Sequence, residues 1–165
     1  MTRLTTLLSL LLLAGQAAAQ TVYFSPHDRT TLAVVAAIDH AKTTVLVQGY
    51  GFTSEPIASA IVAAKQRGAS VRVILDASNL TAKESRAPQL EAAGVNLRFD
   101  HAHAIAHSKN MIIDSAKILT GSFNWTVSAE ERNAESLLIL TDRELAAKYE
   151  ANFERHWEHS KGRGK

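Results

Sequence analysis

At 165 residues, 46% hydrophobic and 21% charged, the chain has an ordinary globular balance and room for one core of its own, which excludes a disordered or fibrous protein. A formal charge of only +2 excludes a protein that coats polyanions with a global field, so any anionic partner must be met by a local patch. With no cysteine, the fold uses no disulfide and the chemistry no thiol.

The first nineteen residues read as a secretory signal peptide: Arg3 as the basic n-region, an apolar run from Leu7 to Ala14, and Ala17-Ala18-Ala19 as the cleavage signal. The apolar run is too short to span a bilayer. Cleavage after Ala19 removes Arg3 and takes the formal charge from +2 to +1. The expected location is therefore periplasmic or secreted, in a bacterium. Residues 20–160 are then one domain, and 161–165 a basic tail expected to fray.

Along the mature chain, Thr21–Phe24 reads as a strand, and Thr30–Lys42 carries Leu32, Val35, Ala36 and Ile38 at helical spacing. Thr43–Tyr50 is β-branched and apolar, a buried strand. A second helix opens at Ser54 as N-cap, with Pro56 in its first turn and Gly68 as its stop. Ser70–Asp76 is a strand, Lys83–Gly94 a short helix broken near Pro88, and Val95–Phe99 a fourth strand. Next, "SKNMIID" and "KILTGSF" read as two strands joined by a tight turn at Asp114-Ser115-Ala116, followed by a strand over Ala134–Leu140. Leu145, Tyr149, Phe153 and Trp157 recur every four residues, one apolar stripe on a C-terminal helix. Strand–helix alternation followed by hairpins predicts an α/β fold: a mixed β-sheet flanked by helices on both faces, an α-β-α sandwich in a single domain.

The stretch "HAHAIAHSKNMIID", His101 to Asp114, holds the chemistry. On a strand His101, His103 and His107 share parity, and a His-x-His pair can present imidazoles to zinc. No carboxylate or thiol stands out beside them and Ile105 intervenes on the same face, so His101 and His103 read as polar residues of an approach loop and no metal ligand is assigned. His107 and Lys109, also of one parity, set an imidazole beside an ammonium ahead of the buried "MII". Asp114 has the opposite parity and lies at the turn, which suits a supporting hydrogen-bond or ion-pair role. In "TGSFNW", Gly121 permits close backbone approach while Ser122 and Asn124 offer neutral hydrogen-bonding groups. Glu135, set in an otherwise apolar strand, needs a partner, and an imidazole is a good one. Trp125 next to Asn124 is either a base-stacking residue or part of the core.

His107-Ser108-Lys109, four residues, Asp114, six residues, then Gly121-Ser122-x-Asn124 resembles the HxK(x)4D(x)6GSxN signature of the phospholipase D superfamily. With "GYGFTSEPIASAI", "RGASVRVILD" and "NAESLLIL", the stretch from Tyr23 to Trp157 is similar to the small bacterial phospholipase D-like endonucleases. The resemblance implies metal-independent phosphodiester hydrolysis without a cofactor. One histidine attacks phosphorus to form a phosphohistidine, and a second protonates the leaving oxygen. It makes His107, Lys109 and Glu135 catalytic, with Glu135 hydrogen-bonded to the histidine. Lys109, Ser122 and Asn124 bind phosphate oxygens, and Asp114 and Gly121 support them. Two histidines are needed and this chain carries one motif, so a homodimer with a shared active site is expected. The expected substrate is DNA, with RNA a second nucleic acid, and the basic residues available include Arg67, Arg72, Lys83, Arg86, Arg98 and Arg132. The alternative is a phospholipid headgroup, disfavoured because the mature sequence shows no amphipathic membrane-facing element, and no stable membrane association is expected.

Overall fold

The computed structural model describes residues 20–164, so the signal-peptide reading of residues 1–19 lies outside them. Seven strands form one mixed sheet: β1 (Gln20–Ser25), β2 (Thr44–Gly49), β3 (Ser70–Asp76), β4 (Asn96–Asp100), β5 (Asn110–Ile113), β6 (Lys117–Gly121) and β7 (Glu135–Thr141). Their order is β1-β7-β6-β5-β2-β3-β4. Only β2, β3 and β4 run parallel, joined by helices; every other neighbouring pair is antiparallel. The break between the two regimes falls at β2, which pairs with β3 in parallel and β5 in antiparallel fashion.

Alternation of side chains along each strand divides the apolar residues between two faces. Val45, Val47, Val73, Leu75, Phe99, Met111 and Leu119 join the core under α1 (Thr30–Asp39), α2 (Glu55–Gln66), α3 (Ala87–Ala92) and α4 (Val127–Glu131). Leu46, Ile74, Ile112 and Ile118 face the other way, against α5 (Arg143–His159). There the stripe seen in the sequence packs as Leu145, Tyr149, Phe153 and Trp157, with Asp142 capping the helix by accepting from the Leu145 N–H at 2.9 Å. Burying Phe153 and Trp157 is worth about 1.5–3 kcal/mol each, and both rings also meet the guanidinium of Arg72, 5.2 and 5.3 Å from their centroids. The result is the expected α-β-α sandwich.

Three local expectations are corrected and one element is added. Pro88 opens α3 instead of breaking a longer helix, since a first-turn proline gives up no helical hydrogen bond. The short α4, with Thr126 Oγ1 accepting from the Ala129 N–H, was not anticipated at all. Among the described residues of the tail, expected to fray, Lys161 pairs through its backbone with Phe99 at the β4 edge, and Arg163 binds the Glu91 carboxylate at 2.9 and 3.0 Å. Finally, β5 starts at Asn110, so His107 and Lys109 lie in the loop before it and strand parity does not govern them.

Candidate active site

The strand registers bring Gln48, Asp76, Asp100, Asn110, Gly121 and Glu135 to one end of the sheet, the carboxyl end of the parallel strands. In open α/β sheets this end, beside a change of strand direction, is where ligands bind. The loop 101–109 crosses it between β4 and β5. Two carboxylates hold that loop: Asp100 Oδ1 accepts from the Ala102 N–H at 2.9 Å, and Asp76 Oδ2 from the Ala106 N–H at 2.8 Å. Burial works to raise the Asp76 carboxyl, yet hydrogen bonds from Ser78 and Ala106 hold it below its ordinary value. Sequence reading passed over both aspartates because each sits at the end of an apolar strand, where an acidic residue looks like a boundary.

From this loop His107 projects into solvent, its ring 4.8 Å from that of Tyr50. Lys109 turns inward and is only 6% exposed; its Nζ donates to the His107 carbonyl at 2.7 Å and lies 5.3 Å from the Tyr50 ring centroid. Burial lowers the pKa of this ammonium, opposed by the negative charge of Glu135. The two residues thus share the Tyr50 ring as a neighbour, the lysine buried and tied to the His107 carbonyl, the histidine exposed.

The remaining motif residues surround the same strand ends. A Cβ on Gly121 would clash with the Ser136 carbonyl oxygen, so only glycine lets β6 approach β7 this closely. Ser122 follows, exposed, its Oγ accepting from the Ser136 N–H at 3.1 Å. Asn124 Oδ1 accepts from the Gly51 N–H at 3.4 Å, tying its loop to the one after β2. Glu135, half-buried at the start of β7, accepts from Asn133 Nδ2 at 3.0 Å and acts on Lys109 through its charge; its hydrogen-bond partner is thus Asn133 and not the histidine expected. Trp125 is fully buried, donating to the Gln48 carbonyl at 2.9 Å, which rules out base stacking and makes it a post beneath the site.

Asp114 lies at the opposite end of β5. Both Asp114 and Ser115 have positive φ, 53° and 50°, forming the primed turn that suits a tight hairpin. The carboxylate accepts N–H bonds from Lys42, Thr43 and Thr44 and the Thr43 hydroxyl, at 2.7–3.1 Å. Burial opposes these bonds, yet they bring its pKa down to about 2. Its work is to fasten the α1–β2 connection to the hairpin.

A second group of titratable side chains stands behind the loop. Asp100 Oδ2 is 3.0 Å from His103 Nδ1, 3.3 Å from His156 Nδ1 and 3.2 Å from His159 Nε2. Burial would raise the Asp100 carboxyl, but hydrogen bonds from His159, His103 and His156 drive it well below its ordinary value. Of the histidines considered for metal in the sequence, only His103 belongs here; His101 and His107 do not. The missing carboxylate was Asp100, one residue before the stretch under scrutiny, and the other imidazoles come from the last turn of α5.

A mixed α/β sandwich with an HxK loop and a GSxN segment at the carboxyl end of its parallel strands defines the class. The family model described as "Cardiolipin synthase, PLD-like domain" matches residues 34–157. Phospholipase D of Rickettsia prowazekii is 41% identical over 130 residues, 79% of this chain and 63% of that protein. Mitochondrial cardiolipin hydrolase of Mus musculus is 33% identical over 134 residues, 81% of this chain and 61% of the relative. The chain thus spans a little under two thirds of the length of these curated relatives. Among solved structures, the phospholipase D family member Nuc from Salmonella typhimurium superposes with a TM-score of 0.84 at 32% identity, covering 88% of this chain and 97% of Nuc. NucT from Helicobacter pylori follows at 0.80 and 26%, covering 88% and 99%. The chain belongs to the phospholipase D-like family.

Proposed function

We propose that the protein is a phosphodiesterase cleaving nucleic acid, DNA first and RNA second, without sequence preference and through a covalent phosphohistidine. The observation that carries this reading is the exposed His107 with the buried Lys109, whose ammonium bonds the His107 carbonyl, both neighbouring Tyr50 at the carboxyl end of the parallel strands. His107 attacks phosphorus, forming a P–N bond as the P–O bond to the leaving group breaks. The His107 of a second copy of the chain donates a proton to that oxygen. Water then attacks phosphorus, the second imidazole takes its proton, the P–N bond breaks and His107 is released. Lys109, Ser122 and Asn124 hold the non-bridging oxygens while charge develops there.

Support for two chains sharing one site comes from the single motif copy and from exposed apolar side chains at this end: Phe24 beside the β7 start, Ile105 on the His107 loop and Val127 on α4. Support for nucleic acid comes from size and charge. The chain matches 97% and 99% of Nuc and NucT, against 63% and 61% of the lipid-named relatives. A cleft of about 400 Å3 lined by Thr53, Lys83, Glu84, Ser85, Arg86 and Val127 offers two cations against one carboxylate to a phosphate backbone. Of the other basic residues named from the sequence, Arg72 binds Glu154, Arg98 the Trp157 carbonyl, Arg67 the Ile38 carbonyl and Arg132 Ser128, while Arg86 in the cleft makes only a long bond, 3.5 Å, to the Thr53 carbonyl. The signal-like leader supports action in the periplasm or outside the cell.

A second reading, hydrolysis of a phospholipid headgroup, is favoured by the names of the Rickettsia and mouse relatives and by the 57% exposure of Ile105 next to the site. One experiment decides. Purified protein is given supercoiled plasmid, and separately phosphatidylcholine and cardiolipin vesicles, with EDTA present and at 20 °C. Plasmid nicking with intact lipid supports the nuclease; headgroup release with intact plasmid overturns it in favour of the lipase.

A further inference from the structure

We propose that Asp100, His103, His156 and His159 form a binding site for one divalent transition-metal cation of the zinc class, separate from the His107 chemistry. The four ligand atoms, one carboxylate oxygen and three imidazole nitrogens, all lie within 4.8 Å of one another. The three rings form a nearly equilateral triangle, with centroid separations of 5.1, 5.1 and 5.2 Å. Zinc held tetrahedrally at about 2.0–2.1 Å keeps its ligand atoms roughly 3.4 Å apart. The three oxygen-to-nitrogen spacings, 3.0–3.3 Å, are close to that figure, and the nitrogens, within 4.8 Å of one another, have to draw together toward it to take the ion.

The donor set suits the ion. Three neutral imidazoles and a carboxylate are ligands that zinc accepts and that magnesium and calcium, which want oxygens, do not. The carboxylate is also prepared: Asp100 is 1% exposed, and its Oδ1 is engaged by the backbone N–H groups of Ala102 and His103 at 2.9 and 3.3 Å. Oδ2 faces all three imidazoles, with His103 Nδ1 also 3.2 Å from Oδ1, and the amides on Oδ1 are the outer-sphere arrangement that fixes a metal-ligating carboxylate. A carboxylate needed only to anchor the loop is served by those two amides. Three imidazoles converging on its other oxygen, two of them one helical turn apart on α5, exceed that need.

The ligands come from the end of β4, the loop 101–109 and the last turn of α5. A cation here cross-links those three elements. A small cavity of about 110 Å3 is lined by Asp100, His103 and His156 together with Ile105, Ala106 and His107 of the loop. The ion therefore steadies the loop that presents His107; it takes no part in the transfer of the phosphoryl group.

The test uses the full mature chain stripped of metal by chelator dialysis, then titrated with zinc chloride against a chromophoric chelator and followed by thermal melting. The proposal expects one equivalent bound per chain and a melting temperature raised by about 5–10 °C when free zinc is about 100 times Kd. His103→Gln, on an exposed loop, and the double change His156→Ala/His159→Ala should each weaken zinc binding at least about 100-fold, beyond the loss seen for outer-sphere partners. His107→Ala should bind as tightly as the parent. No stoichiometric binding by the parent overturns the proposal. So does binding that survives in His103→Gln, or binding lost in His107→Ala, which would put the ion at the catalytic imidazole.

Discussion

The two ends of β5 carry the two charged residues that flank its apolar run, and they are used in opposite ways. At the hairpin end, Asp114 is saturated: three backbone N–H groups and a hydroxyl fill its acceptor sites, and they hold a connection from elsewhere in the chain in place. At the other end Lys109 makes one bond, to the carbonyl of His107, and His107 itself is exposed. One charge is spent on architecture and the other is, on the proposed function, the one that meets an anion. The sequence motif groups these residues as a single signature; the fold separates them by the length of a strand.

That contrast can be broken by substitution, and the catalytic end should give the largest effect. His107→Ala should lower plasmid nicking at least about 10^4-fold, as expected on removing a nucleophile. Its melting temperature should be unchanged because the ring is exposed. Lys109→Met keeps the buried stem and removes the charge; it should cost about 10^2–10^3 in kcat, the usual loss for one transition-state donor.

At the hairpin end, Asp114→Asn should leave kcat alone and destabilise the fold by about 1–3 kcal/mol, measured by urea unfolding. The pH dependence has a definite sign. With the folded pKa at about 2, below its ordinary value of 3.8, the carboxylate's contribution is complete above pH 4 and disappears as pH falls toward 2. The stability gap between parent and Asp114→Asn should therefore close over that interval. A smaller effect belongs to the cleft beyond the catalytic end: Lys83→Ala with Arg86→Ala should weaken DNA binding severalfold and reduce the slope of log K against log salt by about 2.

How legible this was in the sequence depended on range. The buried strands over Thr44–Gly49 and Ser70–Asp76 and the stripe Leu145–Trp157 could be read because their periodicity is local and packing agrees with it. Helix α4 could not, since five residues hold too little of any period and it rests on a cap and on Ala129 in the core. Lys109 was assigned by strand parity, yet the strand begins one residue later and its burial follows from tertiary packing around Tyr50 and Glu135. The histidines His156 and His159 lie on the polar side of a helix read only for its apolar stripe. Nothing local connects them to Asp100, 56 and 59 positions away; only the docking of α5 across the sheet does so. The i, i+3 histidine spacing was the one available signal, and it gained meaning from the fold.

The central claim is that each chain donates one His107 to a shared phosphate. It is tested most directly by co-expressing parent and His107→Ala chains with different tags, isolating the mixed dimer and measuring its nicking rate per dimer. The account predicts a rate near that of the His107→Ala homodimer, because the surviving imidazole lacks its counterpart. A mixed dimer turning over at half the parental rate or more would contradict it and make each chain an independent enzyme.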